Sequence, residues 1–158
     1  MLKRIVSGGQ TGSDQAGLRA AKKVGLETGG WMPKGCITTS GTNFSLLNEF
    51  GMQEHDKFGY PPRTDANVKS SDGTIRLAAY FKSAGEVCTL KAINWYNKPY
   101  LDVNVKNPLP IEDVVSWIKN NNIEVLNIAG NAEPTYMGIG DIVEKYLEQV
   151  FNQCRQAS

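Results

Sequence analysis

The chain has 158 residues, 41% hydrophobic and 21% charged, with a formal net charge of +1. That length suits one domain and one core without covalent staples. The near-zero charge argues against a dedicated nucleic-acid binder, which shows a basic excess, and no apolar run of about 18 residues is present to span a membrane. Cys36, Cys88 and Cys154 are odd in number and far apart, which fits neither a disulfide framework nor a zinc knuckle. Reduced thiols and a cytoplasmic protein without a signal peptide are expected.

Taken in order, residues 2–6 read as a short buried strand ending at Gly8-Gly9, and a helix follows from Ser13 with a stop at Gly25. Gly29 to Met32 reads as a second short strand or extended turn. Residues 35–62 look irregular, with an apolar patch at 44–47, and this length suits a binding loop or a mobile insertion equally. A short helix capped by Thr64 is expected over 64–70, a strand over 73–80, and a helix over 85–96 with apolar Val87, Leu90, Ala92, Ile93 and Trp95. Cys88 falls in that stripe and reads as core. A strand over 99–103, a helix over 110–120, a strand over 124–129 and a closing helix over 138–151 complete the pattern, with Ile142 and Tyr146 among the inward residues and 152–158 as a frayed tail. Alternation of strands and helices predicts an α/β fold: a single doubly wound, mainly parallel, Rossmann-like sheet over 1–151.

The richest chemistry lies in Ser7-Gly8-Gly9-Gln10-Thr11-Gly12-Ser13-Asp14. A strand, a glycine-rich bend and a helix N-terminus together form a ready site for a phosphate, held by the amides of Gly8, Gly9, Thr11 and Gly12. Gln10 adds an amide. Asp14 either caps the helix or binds ligand. The loop is neither a Walker A nor a Gly-x-Gly-x-x-Gly sequence. Lys34, on a Pro-Lys-Gly turn, and Arg63 are candidates to neutralise the same anion. Asn67 and the run Ser71-Asp72-Gly73-Thr74 concentrate polar groups before a strand and are expected to line the cleft. The strand-to-helix loop at Gly130 faces the same ligand in this reading. His55, between Glu54 and Asp56, has no second histidine beside it, so no metal site is expected.

Ser7 to Asp14, Gly30-Trp31-Met32-Pro33-Lys34-Gly35, Arg63-Thr64 with Asn67-Val68, Ser71-Asp72-Gly73-Thr74 and Ile128-Ala129-Gly130 occur in the order and approximate spacing of the molybdenum carrier family, which the chain resembles over nearly its whole length. The resemblance implies a Rossmann-like fold of the lysine-decarboxylase-like, nucleotide-ligand-binding superfamily. It implies a homo-oligomer, dimer or tetramer, and a non-catalytic carrier of molybdenum cofactor or another phosphorylated, nucleotide-like small molecule. Two alternatives stand beside it. One is a nucleotide phosphoribohydrolase using Glu86 or Asp72, although 83–91 lacks the glycine-glutamate run of such enzymes. The other is an interaction domain in which the loop is a relic.

Overall fold

The computed structural model describes residues 1–156. Strand β1 (Arg4–Ser7) leads into helix α1 (Ser13–Lys23), and β2 (Glu27–Gly29) returns beside β1. Four very short strands follow: β3 (Trp31–Met32), β4 (Ile37–Thr38), β5 (Gly41–Thr42) and, after helix α2 (Ser45–Glu49), β6 (Gln53–Glu54). Then come α3 (Tyr60–Lys69), β7 (Gly73–Ala78), α4 (Ala84–Tyr96), β8 (Tyr100–Asn104), α5 (Ile111–Asn120), β9 (Val125–Gly130) and α6 (Ile139–Gln156).

Local chemistry explains these bounds. Asp14 in the first turn of α1 and Lys22 and Lys23 in its last turn both complement the helix dipole. Asn97 ends α4 in the left-handed conformation (φ 51°, ψ 49°) and returns its N–H to Asn94. Helix α3 begins at Tyr60, four residues before the expected cap at Thr64. Pro61 and Pro62 sit in its first turn, where a missing N–H costs nothing.

All pairings in the main sheet are parallel, in the order β2-β1-β9-β7-β8. If β9 is counted first, the order becomes 3-2-1-4-5, the doubly wound arrangement. The sheet is therefore a Rossmann-like sheet with its first strand moved to the end of the chain. The switch point, where ligands bind in such sheets, falls between the C-terminal ends of β9 and β7.

The two faces of the sheet differ. Ile5, Ile75, Leu77, Val103, Leu126 and Ile128 are fully buried in one core with residues of α1, α5 and α6. The opposite face, under α3 and α4, is polar. Buried Arg76 grips Asp102 with two hydrogen bonds of 2.7 Å and donates to the Glu86 carbonyl at 3.0 Å, and Asn127 donates to Thr74 at 3.2 Å. Among the described residues, Val68, Ala92 and Ile93 form a small apolar cluster there with Tyr96 packed on it. Val87 and Trp95, expected on apolar faces of α4, are exposed, as is Ile142 on α6.

Residues 35–62 are more ordered than their sequence suggests. Leu46, Phe50 and Met52 pack with Leu18, Met32 and Cys36 in a small second core. Of the expected tail 152–158, residues 152–156 continue α6 to Gln156, with Cys154 packed on the main core and Arg155 donating to the Val24 carbonyl, and 157–158 lie outside the described residues.

Candidate functional site

The first loop is closed on itself. Ser7 Oγ accepts the Gly9 N–H at 3.2 Å, Asp14 Oδ2 accepts the Gln10 N–H at 3.2 Å, and Gln10 Oε1 accepts the Thr11 N–H at 2.9 Å. The Gly8 amide lies near the Asp14 carboxylate and favours its charged form. Gly12 (φ 82°) lets the turn touch the β9–α6 loop: a Cβ here would lie 2.4 Å from the Asn131 carbonyl, which accepts the Ser13 N–H at 3.1 Å. Of the amides expected to grip a phosphate, at Gly8, Gly9, Thr11 and Gly12, those of Gly9 and Thr11 serve internal acceptors, and the anion in the bend is the chain's own Asp14. Asp14, expected to cap α1, stands inside its first turn with the carboxylate folded back.

A cavity of about 410 Å³ opens beside this loop at the switch point. Its wall combines Gln10 and Asp14, the first two turns of α3 (Tyr60, Arg63, Thr64), Ser83 before α4 and the first two turns of α4 (Gly85, Glu86, Thr89), and Gly130 at the end of β9. Gly130 (φ 150°) is required by proximity, since a Cβ would meet the Leu77 carbonyl at 1.8 Å. Gly85 has nothing within 4 Å of its Cβ position, so the start of α4 presents bare backbone to open space.

Arg63 is the cation of this cavity. Its side chain is 12% exposed and lies over Gly8, where a Cβ would be 2.0 Å from the guanidinium. Nη1 is 3.6 Å from Asp14 Oδ2 and donates to Thr64 Oγ1 at 3.1 Å, while the Tyr60 ring centroid lies 5.1 Å away. Its Nε is buried without a hydrogen-bond partner. An unpaired buried donor on a charged group is costly and marks a place where a ligand oxygen would be welcome. Burial pushes Asp14 up to about 6, against the lowering by Arg63 and the loop amides, and nearby Glu86 raises it further.

Glu86 is itself buried. Oε2 accepts from Ser83 Oγ and, at 3.0 Å, from Asn131 Nδ2. Asn131 also takes the N–H groups of Ala79 and Tyr80 at 2.9 and 3.1 Å and so ties the loop after β7 to the loop after β9. Thr39, at the tip of the β4–β5 hairpin, donates its N–H to Gln10 Oε1 at 2.8 Å and closes one side of the cavity.

Several expected residues lie elsewhere. Lys34 is exposed, with Nζ 4.9 Å from the Phe58 ring centroid, and does not reach the cavity. Asn67 is buried and clamps the Trp31 main chain, accepting its N–H at 2.9 Å and donating to its carbonyl at 3.1 Å. Ser71, Asp72, Gly73 and Thr74 stand at the N-terminal ends of the strands, opposite the cleft. Ser71 Oγ bonds the Val68 carbonyl at 3.0 Å, Asp72 Oδ2 accepts the N–H groups of Glu124 and Val125 at 3.0 and 2.9 Å, and Gly73 leaves room for Ile123. Placing 71–74 at the cleft mistook the entry of β7 for its exit. Cys88, expected in the core, is half-buried and lines the cavity.

Tyr60 and Thr89 join the site without having been expected there, and Thr64, expected as a helix cap, faces the cavity instead. The one available signal was Ser83-x-x-Glu86, the spacing of a capping box. Among the described residues, no group of three or more His, Cys, Asp or Glu could hold a metal ion, and no helix is long and apolar enough to cross a membrane. A second hollow, of about 330 Å³, lies at the other end of the sheet and is lined mainly by apolar side chains such as Leu2, Val115 and Ile118.

No curated protein matches the chain. Among solved structures, a protein from Syntrophus aciditrophicus SB named "Putative molybdenum carrier protein" is 33% identical, with a TM-score of 0.84 and 94% of each chain covered. Residues 5–151 match the family described as "Circularly permutated YpsA SLOG family". The displaced strand β9 is the structural counterpart of that description. The chain belongs to the circularly permutated YpsA SLOG family.

Proposed function

We propose that the chain is a non-catalytic binder and carrier of a phosphorylated, nucleotide-like small molecule, held at the switch point with its phosphate toward Arg63 and the first turn of α4. Molybdenum cofactor, a pterin with a phosphate tail, is the ligand that the name of the Syntrophus relative suggests. The observation that carries this reading is Arg63: a buried guanidinium in a cavity wall, with one donor unpaired. Thr64 and Thr89 add hydroxyls, and the Tyr60 ring, 40% exposed at the rim, suits a planar heterocycle. A cavity of about 410 Å³ is in the range that small-molecule sites occupy.

Asp72, one of the two carboxylates of the hydrolytic alternative, binds backbone amides at the opposite end of the sheet. Glu86 alone remains in the cavity from that pair.

Thermal unfolding with AMP, GMP, pyrophosphate and molybdenum cofactor tests the proposal. A ligand at a hundred times its Kd adds about 2.7 kcal/mol, a rise of roughly 5–10 °C for a chain of this size. Arg63→Met is expected to weaken binding by roughly 10- to 150-fold, the worth of a charged hydrogen bond. If no phosphorylated compound stabilises the protein, the proposal fails.

A further inference from the structure

We propose that Asp14 is the resident counter-ion of Arg63, and that a phosphate ligand claims Arg63 only as Asp14 takes up a proton, so that anion binding and proton binding in this cavity are one exchange. The inference rests on the reading of the cavity as a phosphate site and adds how that site is regulated.

Asp14 already occupies the place an anion would take. The Gly8 and Gln10 amides converge on its carboxylate, and Arg63 Nη1 stands 3.6 Å from Oδ2. Both side chains are withdrawn from water, at 6% and 12% exposure, so the charges are poorly screened. The charges facing Asp14 from neighbouring elements are Arg63 on α3 and Glu86 on α4. β1 presents the neutral hydroxyl of Ser7, the loop presents Gln10, and β9 brings Ala129 and Gly130 without charge. Tyr60 and Cys88 are the other titratable groups of the wall, and burial pushes the Cys88 thiol up.

One cation therefore faces two carboxylates, and a phosphate added beside them meets net repulsion. A proton on Asp14 removes it. Oδ2 is the oxygen engaged with Gln10 and Arg63. A proton on Oδ1 keeps the Gln10 hydrogen bond and cancels the charge that holds Arg63. The guanidinium is then free to turn its donors, including the unpaired Nε, to the ligand. Burial already pushes Asp14 up to about 6, so the exchange lies near neutral pH. The bound anion raises this value further. Affinity is highest below pH 6 and falls as pH rises, by up to roughly tenfold per unit for one linked proton.

The test is calorimetric titration of the full chain with AMP and with pyrophosphate between pH 5.5 and 8, in pairs of buffers with different ionisation heats. The wild type is expected to take up protons on binding in excess of Asp14→Asn. The variant should bind at least about tenfold more tightly than wild type at pH 8. Subtracting the two cancels the ligand's own titration. Binding at pH 8 to the variant alone also supports the exchange if the wild type binds at pH 5.5, because Asp14 then closes the site only when ionised; a wild type that binds at neither pH overturns it. Equal proton uptake in both proteins overturns the exchange and leaves the phosphate site standing. No binding to either overturns both. If Asp14→Asn does not fold, the carboxyl 13C resonance of Asp14 in the wild type decides. It should titrate at least one pH unit higher in the AMP-saturated protein, and an unchanged midpoint overturns the proposal.

Discussion

Asp14 shows how one buried carboxylate links folding to function. Its value in the unfolded chain is near 3.8 and burial pushes it up to about 6 in the fold. Between these values the folded state binds more protons than the unfolded state. Stability from this residue therefore falls as pH rises from 4 to 6, and above 6 the ionised group costs about 3 kcal/mol. Most carboxylates act in the opposite sense, so the difference between two proteins must be read. Asp14→Asn is expected to gain stability relative to wild type by up to about 3 kcal/mol between pH 4 and pH 7, measured by urea unfolding. A difference that stays flat across that range would show that Asp14 titrates normally. At the same scale, Gly130→Ala places a methyl group 1.8 Å from the Leu77 carbonyl, so at least about 3 kcal/mol of stability is expected to be lost in the same assay.

Among the elements, the β4–β5 hairpin and the first loop are joined by one side chain. Gln10 Oε1 holds the N–H groups of Thr11 and Thr39, and Thr11 and Thr39 meet through their hydroxyls. Gln10→Ala leaves both amides without that acceptor and is expected to cost roughly 1–3 kcal/mol. Hydrogen exchange should then quicken at Thr39 while β7 and β9 stay protected. Uniform loss of protection would mean that Gln10 supports the whole fold instead. The polar face of the sheet was legible in outline. Thr74-Ile75-Arg76-Leu77 alternates, as does Leu126-Asn127-Ile128, which is the period of a strand with one polar side. Helices α1, α5 and α6 were legible from apolar spacing and from Gly25 and Pro110. Helix α3 was misplaced because Pro61-Pro62 reads as a breaker in mid-sequence and as a favourable start once the helix begins there.

At the level of the whole molecule, the permuted strand order makes a prediction about connectivity. Met1 and Cys154 border the same hollow at the N-terminal end of the sheet, so the two ends of the fold are close. A chain joined from Ser158 to Met1 by a short glycine-serine linker, and opened between exposed Asn121 and Asn122, starts with β9 and runs in the order 3-2-1-4-5. It is expected to show the same circular dichroism, and the same ligand response, as the natural connectivity. Loss of cooperative unfolding would show that the present order of strands is required. What the amino-acid sequence determined alone was the α/β alternation, the strand-loop-helix at Ser7 to Asp14, and Arg63 as a candidate for the anion. These are local matters of period, glycine placement and charge. Tertiary structure decided which end of each strand faces the cleft. That placed Ser71 to Thr74 away from the cavity, kept Glu86 in its wall and brought in Tyr60, Thr64 and Thr89. It also decided that the loop closes on its own side chains, with Gln10 N–H on Asp14, Gly9 N–H on Ser7 and Thr11 N–H on Gln10, because these acceptors come within reach only once α1 packs against β1 and buries Ser7 and Asp14.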